Sequence, residues 1–279
     1  MTYKEAVKLL QKNGIEDPAF DAAELFCRFV GATKSSLLAD SDKDYPSPEL
    51  LEAIKKRADR IPLQYILGEW EFFGLTFEVS EACLCPRADT EVTVEEVLKR
   101  LPKNSRILEL CTGSGCIPIA LCHTRPDIKA ISTDLFDDTL AIAKRNAELN
   151  GVADRIKFVR SDIFSDSLTD ADESFDAVVS NPPYIPTDDL EALSPEVHRE
   201  PRAALDGGTD GLDFYREILS HYKKYLKPDG FIALEIGYDQ AEDIVALAAE
   251  NSFDCTIIKD LGGNDRCAVC KMKKSIGNR

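Results

Sequence analysis

Residues 175–185 have the sequence Phe175-Asp176-Ala177-Val178-Val179-Ser180-Asn181-Pro182-Pro183-Tyr184-Ile185. The short apolar, β-branched run predicts a buried strand. Two consecutive prolines end it, because proline fixes φ and has no backbone donor. Asn181 is therefore expected at the carboxyl end of a strand, the edge at which open α/β sheets bind their ligands.

An asparagine at this edge suits the binding of a planar amino or amide group. The side-chain carbonyl of Asn181 and the backbone carbonyl of Pro182 can accept both N–H hydrogens of such a group and turn its nitrogen toward an electrophile. Tyr184 is expected to stack on the flat group. An isolated Asn-Pro-Pro is also common in ordinary loops, so the assignment depends on the rest of the chain.

Strand and helix patterns alternate from Arg106 onward. The predicted strands are Ile107–Leu110, Ala130–Asp134, Ile156–Val159, Asp176–Ser180, Phe231–Ile236, Phe253–Ile258 and a last one around Cys267. The predicted helices are Cys116–His123, Asp137–Asn150, Phe214–Leu226 and Asp239–Glu250. This alternation predicts right-handed βαβ units and an α/β fold with a mostly parallel sheet. The last strand follows too short a gap for a crossover helix, so it should run antiparallel at or near an edge.

Two further regions precede this α/β domain, which we place at residues 86–279. Apolar residues at helical spacing predict a small helical domain at 1–60, with Asp17-Pro18 and Ser47-Pro48 as helix starts. Residues 61–85 are predicted to form a β-hairpin linker around Gly74, and Asp89 or Thr90 is expected to cap the next helix.

A long segment rich in proline, aspartate and glycine lies between Ile185 and Leu212. Loops of this length are usually functional or disordered. Because it directly follows Asn181, we expect a lid facing the substrate, with disorder as the alternative.

Composition narrows the functional classes. The 279 residues are 44% apolar, enough for a sizeable core, and the net charge of −16 comes from 50 acidic and 34 basic side chains. Such a charge repels phosphate backbones, so nucleic acid is a disfavoured partner. No apolar run reaches membrane-spanning length and the first residues lack the apolar core of a signal peptide. We therefore expect a cytoplasmic protein with no membrane association.

The nine cysteines are expected to be reduced and without disulfides. Cys83 with Cys85, and Cys267 with Cys270, have spacings that zinc sites use. No nearby third and fourth ligand is evident for either pair, so no metal site is predicted.

A glycine-rich turn follows the first strand of the α/β domain, at Glu109-Leu110-Cys111-Thr112-Gly113-Ser114-Gly115-Cys116. Its glycines let the backbone approach a ligand closely. The dinucleotide fingerprint requires glycine or alanine where Pro118 stands, which argues against a pyrophosphate ligand. Asp134 ends the next strand, where an acidic residue accepts hydrogen bonds from ribose hydroxyls.

These features fit a nucleoside without phosphates. S-adenosylmethionine is such a ligand, and its sulfonium cation suits an acidic cleft. Asp162, after the third strand, is expected to accept from the adenine amino group, and Ile163 to cover a face of its ring.

Taken together, these residues resemble a class I S-adenosylmethionine-dependent methyltransferase with a Rossmann-like seven-stranded sheet. More narrowly, the chain resembles the peptide chain release factor glutamine methyltransferases, the PrmC/HemK family. The resemblance covers nearly the whole chain, including the following segments: Pro62–Gly68, Phe72–Gly74, Pro86–Glu91, Pro201, Ala204–Gly208 and Asp210–Leu212.

The resemblance implies methylation of the glutamine amide in the Gly-Gly-Gln motif of release factors, with S-adenosylhomocysteine as the second product. Cofactor contacts would fall on Cys111, Thr112, Gly113, Ser114, Gly115, Asp134, Ile163 and Asn181, and substrate contacts on Asn181, Pro182, Pro183 and Tyr184. Asn181, Pro182 and Tyr184 would be the catalytic residues. Cys111 departs from the glycine that many members carry, and Ile163 from the aromatic residue of some.

The mechanism expected is direct in-line transfer. An amide nitrogen is a poor nucleophile, so the site must hold it about 3–3.5 Å from the methyl carbon with its lone pair aimed there. Three alternatives remain open: a glutamine methyltransferase acting on a ribosomal protein, an adenine amino-methyltransferase acting on nucleic acid, and a non-catalytic cofactor-binding scaffold. The net charge and the lack of a target-recognition domain weigh against the nucleic-acid alternative.

Overall fold

The computed structural model describes residues 1–165 and 174–273, and these form two compact units. The first comprises Met1–Glu69 and Leu193–Glu200, and the second Trp70–Ala192 and Pro201–Arg279. In the described residues no helix is long and apolar enough to cross a membrane.

Five helices build the first unit: α1 (Tyr3–Lys12), α2 (Pro18–Val30), α3 (Lys34–Ala39), α4 (Pro48–Ala58) and α5 (Leu63–Leu67). Two predicted helix starts are confirmed. The Asp17 side chain accepts from the Phe20 amide and the Ser47 side chain from the Leu50 amide, each before a proline in the first turn. The apolar faces of these helices meet in a core that contains Leu10, Leu25, Phe26, Leu50 and Ile54.

A buried ion cluster ties the segment Leu193–Glu200 to helices α2 and α4. The Arg57 side chain is 8% exposed, and its Nε donates to Asp21 Oδ2 at 2.5 Å. Its second terminal nitrogen donates to Glu196 Oε1 at 2.9 Å, and Arg60 donates to Glu196 Oε2 at 2.6 Å. This unit is therefore completed by residues more than a hundred positions beyond its helices.

The second unit begins with a two-stranded hairpin, β1 (Glu69–Phe72) and β2 (Leu75–Glu78), as predicted around Gly74. Its main sheet has seven strands: β3 (Arg106–Leu110), β4 (Lys129–Asp134), β5 (Ile156–Arg160), β6 (Phe175–Ser180), β7 (Leu226–Glu235), β8 (Phe253–Lys259) and β9 (Asp265–Met272). The helices are α6 (Glu91–Arg100), α7 (Cys116–Thr124), α8 (Asp137–Leu149), α9 (Asp213–His221) and α10 (Ala241–Glu250).

The strand order is β5-β4-β3-β6-β7-β9-β8. Strands β3 to β7 pair in parallel, whereas β9 runs antiparallel between β7 and β8. The prediction of a mostly parallel sheet with an antiparallel last strand near an edge is confirmed. Strand β7 starts earlier than predicted, at Leu226, because the predicted helix ends at His221 and only a short 3₁₀ turn, Tyr222–Tyr225, follows it.

Both faces of the sheet are buried, which explains why its strands are continuous apolar runs. Alternate residues of β3 show this, because Ile107 packs with helices α6 to α8 and Leu108 with helices α9 and α10. The order reverses between β3 and β6, so the crevice above their carboxyl ends is where a ligand site is expected.

The segment between Ile185 and Leu212 is ordered and contains three 3₁₀ turns, Thr187–Ala192, Val197–Arg199 and Arg202–Ala204. Within the second unit its two ends pair with each other. The Ile185 amide donates to the Leu205 carbonyl at 3.0 Å, and the Gly207 amide donates to the Ile185 carbonyl at 2.8 Å. The disorder alternative is therefore wrong for this segment.

Candidate active site

A cleft of about 570 Å³ opens in the second unit at the carboxyl ends of β3, β4 and β6. It brings together most of the residues singled out from the sequence: Cys111, Thr112, Gly113, Ser114, Asp134, Asp162, Ile163, Asn181 and Pro183. Gly115, Pro182 and Tyr184 are not among the residues that line it.

The glycine turn after β3 is a left-handed backbone segment, with φ of 59° at Cys111, 56° at Gly113 and 81° at Gly115. A Cβ on Gly113 would meet nothing within 4 Å, so its backbone is open to a ligand. A Cβ on Gly115 would lie 3.0 Å from Ile119 Cδ1 and 3.2 Å from the Ala143 Cβ. Gly115 is therefore required for the packing of α7 against α8.

Asp134 fixes this turn from the end of β4. Its Oδ2 accepts from the Gly113 amide at 3.0 Å and its Oδ1 from the Phe136 amide at 3.2 Å. Burial raises the pKa of Asp134, although these backbone hydrogen bonds oppose the shift. A carboxylate has about four acceptor positions, so Asp134 keeps acceptor capacity for a ligand hydroxyl.

The Asn181 side chain is held by a residue from the start of α6. Its Nδ2 donates to Thr90 Oγ1 at 3.2 Å, and Thr90 is 2% exposed. Thr90 occupies the N-cap position predicted for it, but its side chain makes no capping hydrogen bond. Asp89 does not cap the helix either, and instead pairs with Arg266 at 3.3 Å. Because the Asn181 amino group is engaged, its carbonyl oxygen is the atom left for a ligand.

Close packing around two glycines shapes the turn that follows Asn181. A Cβ on Gly207 would lie 2.7 Å from the Tyr184 Cα, and one on Gly211 would lie 2.4 Å from the Tyr184 carbonyl oxygen. That carbonyl also accepts from Gln240 Nε2 at 3.0 Å. Burial raises the pKa of Tyr184 to about 12, so its hydroxyl stays protonated.

Apolar residues cover the cleft beyond β4 and β5. Ile163 is 8% exposed, and its carbonyl accepts from the Tyr222 hydroxyl at 3.1 Å. Next to it, Phe164 packs edge-on against Phe214, with ring centroids 5.0 Å apart. Phe164 belongs to the predicted adenine-facing stretch 161–164, but sequence reasoning missed Leu135, Phe136 and Phe214 as lining residues. Leu135 directly follows the predicted Asp134 and Phe136 comes next, and that adjacency was the available signal.

Buried acidic groups also escaped prediction. Glu109, in β3, is 1% exposed, and burial raises its pKa to about 8. Glu235, at the end of β7, is 1% exposed as well. Nothing local in the sequence distinguished these residues from solvent-facing glutamates.

The cysteines are thiols, and all nine are free. Cys111 lies at the cleft, where burial raises its pKa well above the usual range. Within residues 1–165 and 174–273, no group of three or more histidine, cysteine, aspartate and glutamate side chains is placed to hold a metal ion.

Comparison with known proteins identifies the family. Residues 2–68 match the PrmC N-terminal domain family, and residues 88–208 match the methyltransferase small domain family. A release factor glutamine methyltransferase from Geobacter sulfurreducens is 43% identical over 265 residues, which cover 92% of this chain and 90% of that protein. The chain belongs to the release factor glutamine methyltransferase family. It is a methyltransferase, and its methyltransferase domain implies the use of S-adenosylmethionine in general.

Other relatives agree with this family. A release factor glutamine methyltransferase from Moorella thermoacetica is 40% identical over 270 residues, which cover 94% of both chains. The crystal structure of a methyltransferase from Pyrococcus furiosus is 20% identical, covers 72% of this chain and 90% of its own, and has a TM-score of 0.55. At that identity the second comparison supports the fold alone.

Proposed function

We propose that this chain transfers a methyl group from S-adenosylmethionine to the side-chain amide nitrogen of the glutamine in the Gly-Gly-Gln motif of peptide chain release factors. The observation that carries the proposal is the Asn181 carboxamide, held by Thr90 at the cleft that also contains the glycine turn and Asp134. The names of its relatives support the choice of substrate. A cytoplasmic location is part of the proposal, since release factors work on ribosomes.

The lining of the cleft fits the methyl donor. The open backbone at Gly113, the free acceptor positions of Asp134 and the apolar cover of Ile163 suit a nucleoside that carries no phosphate. When bound, S-adenosylmethionine supplies an electrophilic methyl carbon on a sulfonium sulfur. The surplus of acidic side chains around it, Asp134 and Asp162, favours that positive charge.

The chain's own contribution is to orient a weak nucleophile. In this proposal Asn181 Oδ1 and the Pro182 carbonyl accept the two N–H groups of the substrate glutamine, and Tyr184 supports the turn that carries them. The glutamine nitrogen would use its lone pair to form the new bond to the methyl carbon while the carbon–sulfur bond breaks, its electron pair staying on sulfur in the neutral thioether S-adenosylhomocysteine. The nitrogen would then lose one proton to water. The two carbonyl oxygens stabilise the positive charge that develops on nitrogen. No general base is required, because methylation makes that proton acidic.

Mass spectrometry of a release factor incubated with S-adenosylmethionine and the protein tests the proposal. We expect one added methyl group on the glutamine of the Gly-Gly-Gln peptide. Asn181→Ala should lower kcat by about 10²–10³-fold, the usual loss for one preorganised polar group. The matched control is Asn251→Ala, whose side chain donates to the Leu247 carbonyl in helix α10, and it should keep full activity.

Two other outcomes would reject the release-factor substrate. Methyl transfer to a ribosomal protein would assign a different protein partner to the same amide chemistry. Transfer to adenine in DNA or RNA would retain the fold and the methyl donor but replace the substrate class.

A further inference from the structure

Glu235 is a buried acid directly beside Asn181. It is the last residue of β7, and Leu234 before it pairs in parallel with Ser180 of β6, the residue before Asn181. Among the described residues its Oε2 has no hydrogen-bond partner. Burial of a carboxyl group without full compensation is costly, so a buried glutamate at this position calls for a functional reason.

Thr90 connects Glu235 to Asn181. The Thr90 and Asn181 side chains lie close enough to the Glu235 carboxyl group to favour its charged form, and so does the charge of Arg266. Asn181 Nδ2 also donates to Thr90 Oγ1 at 3.2 Å. Thr90 and Asn181 therefore form a hydrogen-bonded pair at the cleft, next to the buried carboxyl group of Glu235, which one of them can reach by a small rotation.

The charge of Glu235 fixes which groups donate and which accept hydrogen bonds among these three side chains. An ionised carboxylate accepts hydrogen bonds only, and a hydroxyl group has a single proton to donate. When Thr90 gives that proton to Glu235, its oxygen can only accept from Asn181. The Asn181 carboxamide must then turn its amino group to Thr90 and Glu235, and its carbonyl oxygen to the cleft.

We propose that Glu235 is a positioning residue, which acts together with Thr90 to hold the Asn181 carboxamide with its carbonyl oxygen toward the substrate. The inference rests on the proposed function only in the identity of that substrate. The carbonyl oxygen and the amino group of Asn181 have nearly the same shape. In this proposal Glu235 determines which of the two faces the substrate.

Protonation of Glu235 would release this constraint, because a carboxylic acid can donate as well as accept. Burial raises the pKa of Glu235 to about 7. The titratable and charged groups that act on it from neighbouring elements are Asp89, Cys116, Tyr184, Tyr215, Arg266 and Cys267. Both tyrosines and both cysteines have raised pKa values and stay neutral at pH 7. We therefore expect kcat to fall as the pH drops below about 7.

The test compares the full-length protein with Glu235→Gln, Thr90→Val and Thr90→Ser. We expect Glu235→Gln and Thr90→Val to lower kcat about tenfold or more, while KM and the dissociation constant of S-adenosylmethionine stay within about twofold. Thr90→Ser keeps the hydroxyl group and should retain most of the activity. Glu148→Gln, an exposed change on helix α8, is the matched control.

A second measurement does not depend on the substrate. The side-chain amide resonances of Asn181, assigned by their loss in Asn181→Ala, should titrate with a midpoint near pH 7 in the native protein, and that titration should vanish in Glu235→Gln. Unchanged kcat together with an unchanged amide titration in Glu235→Gln would overturn the inference. If the native protein methylates no release factor, the proposed function fails, and the amide titration still decides the role of Glu235.

Discussion

Asp134 holds the glycine turn and at the same time keeps acceptor capacity for a ligand. Its two oxygens accept from the backbone amides of Gly113 and Phe136. The turn cannot move without breaking a charge-assisted hydrogen bond, which is about twice as strong as a neutral one. The backbone that a ligand would meet here is therefore already held in place before the ligand binds.

Asp134→Asn should therefore weaken S-adenosylmethionine binding. The neutral amide keeps the size of the side chain but offers one acceptor oxygen instead of two. Loss of a hydrogen bond to a charged group costs about 1.5–3 kcal/mol, so the dissociation constant measured by calorimetry should rise about 10- to 150-fold. Asp138→Asn, exposed in the first turn of α8, is the control. An Asp134→Asn variant with native affinity would contradict this role.

Among the residues of the candidate site, the sequence predicts those that lie at strand ends. It does not predict those that tertiary contacts bring to the site. Asp134 and Asn181 follow apolar strands directly, so the sheet rule places them at the ligand edge. Thr90 lies 91 positions from Asn181, and no local pattern connects them. The burial of Glu235 depends on which strands flank β7, and the alternation of helices and strands leaves that order open.

At the scale of elements, the cluster formed by Arg57 with Asp21 and Glu196 is the polar contact that we expect to matter most in the first unit. Removal of one member leaves the others charged and buried, at a cost of about 3–5 kcal/mol. Arg57→Met should therefore lower the free energy of unfolding of that unit by this amount. Urea unfolding measures the loss, and amide hydrogen exchange in α2 and α4 locates it.

An exposed pair in the same unit is the natural control. Arg28 and Glu69 are 3.1 Å apart, with side chains 51% and 49% exposed. Solvent-exposed pairs contribute about 0–1 kcal/mol, so Arg28→Ala should change stability little. Equal effects of the two substitutions would show that burial of the Arg57 cluster has no energetic weight.

The elements themselves are largely predictable from the sequence, because apolar periodicity and caps are local signals. The edge position of β8 was not predictable, since a short antiparallel connection allows β9 to lie on either side of it. The ordering of residues 185–212 was not predictable either. It depends on Gly207 and Gly211 meeting the Tyr184 backbone at distances that no side chain permits.

For the whole molecule, buried acids set how stability depends on pH. Burial raises the pKa of Glu109 to about 8 and that of Glu235 to about 7, from an ordinary value of 4.5. Between pH 4.5 and 8 the folded chain therefore holds more protons than the unfolded chain, and stability falls as the pH rises. The net charge of −16 adds self-repulsion in the same direction.

Thermal unfolding should accordingly have a higher midpoint at about pH 6 than at about pH 8.5. For a protein of about this size, each kcal/mol of change in the free energy of unfolding shifts the midpoint by about 2–4 °C. Glu109→Gln combined with Glu235→Gln should reduce the difference, because both raised groups are gone. A midpoint that rises with pH across this window would contradict the assignment of these two acids.

Because the first unit includes Leu193–Glu200, its parts are synthesised at well-separated times. Helices α1 to α5 leave the ribosome long before Glu196, which is more than 120 residues beyond the last of them. At about 5–20 residues per second, that interval lasts roughly 6–25 s. During this time Arg57 and Arg60 lack the Glu196 carboxylate, although Arg57 already has its other partner, Asp21, so the ion cluster of the first unit stays incomplete. The first unit therefore begins to fold before the second, but it can be completed only after residues 193–200 have been synthesised.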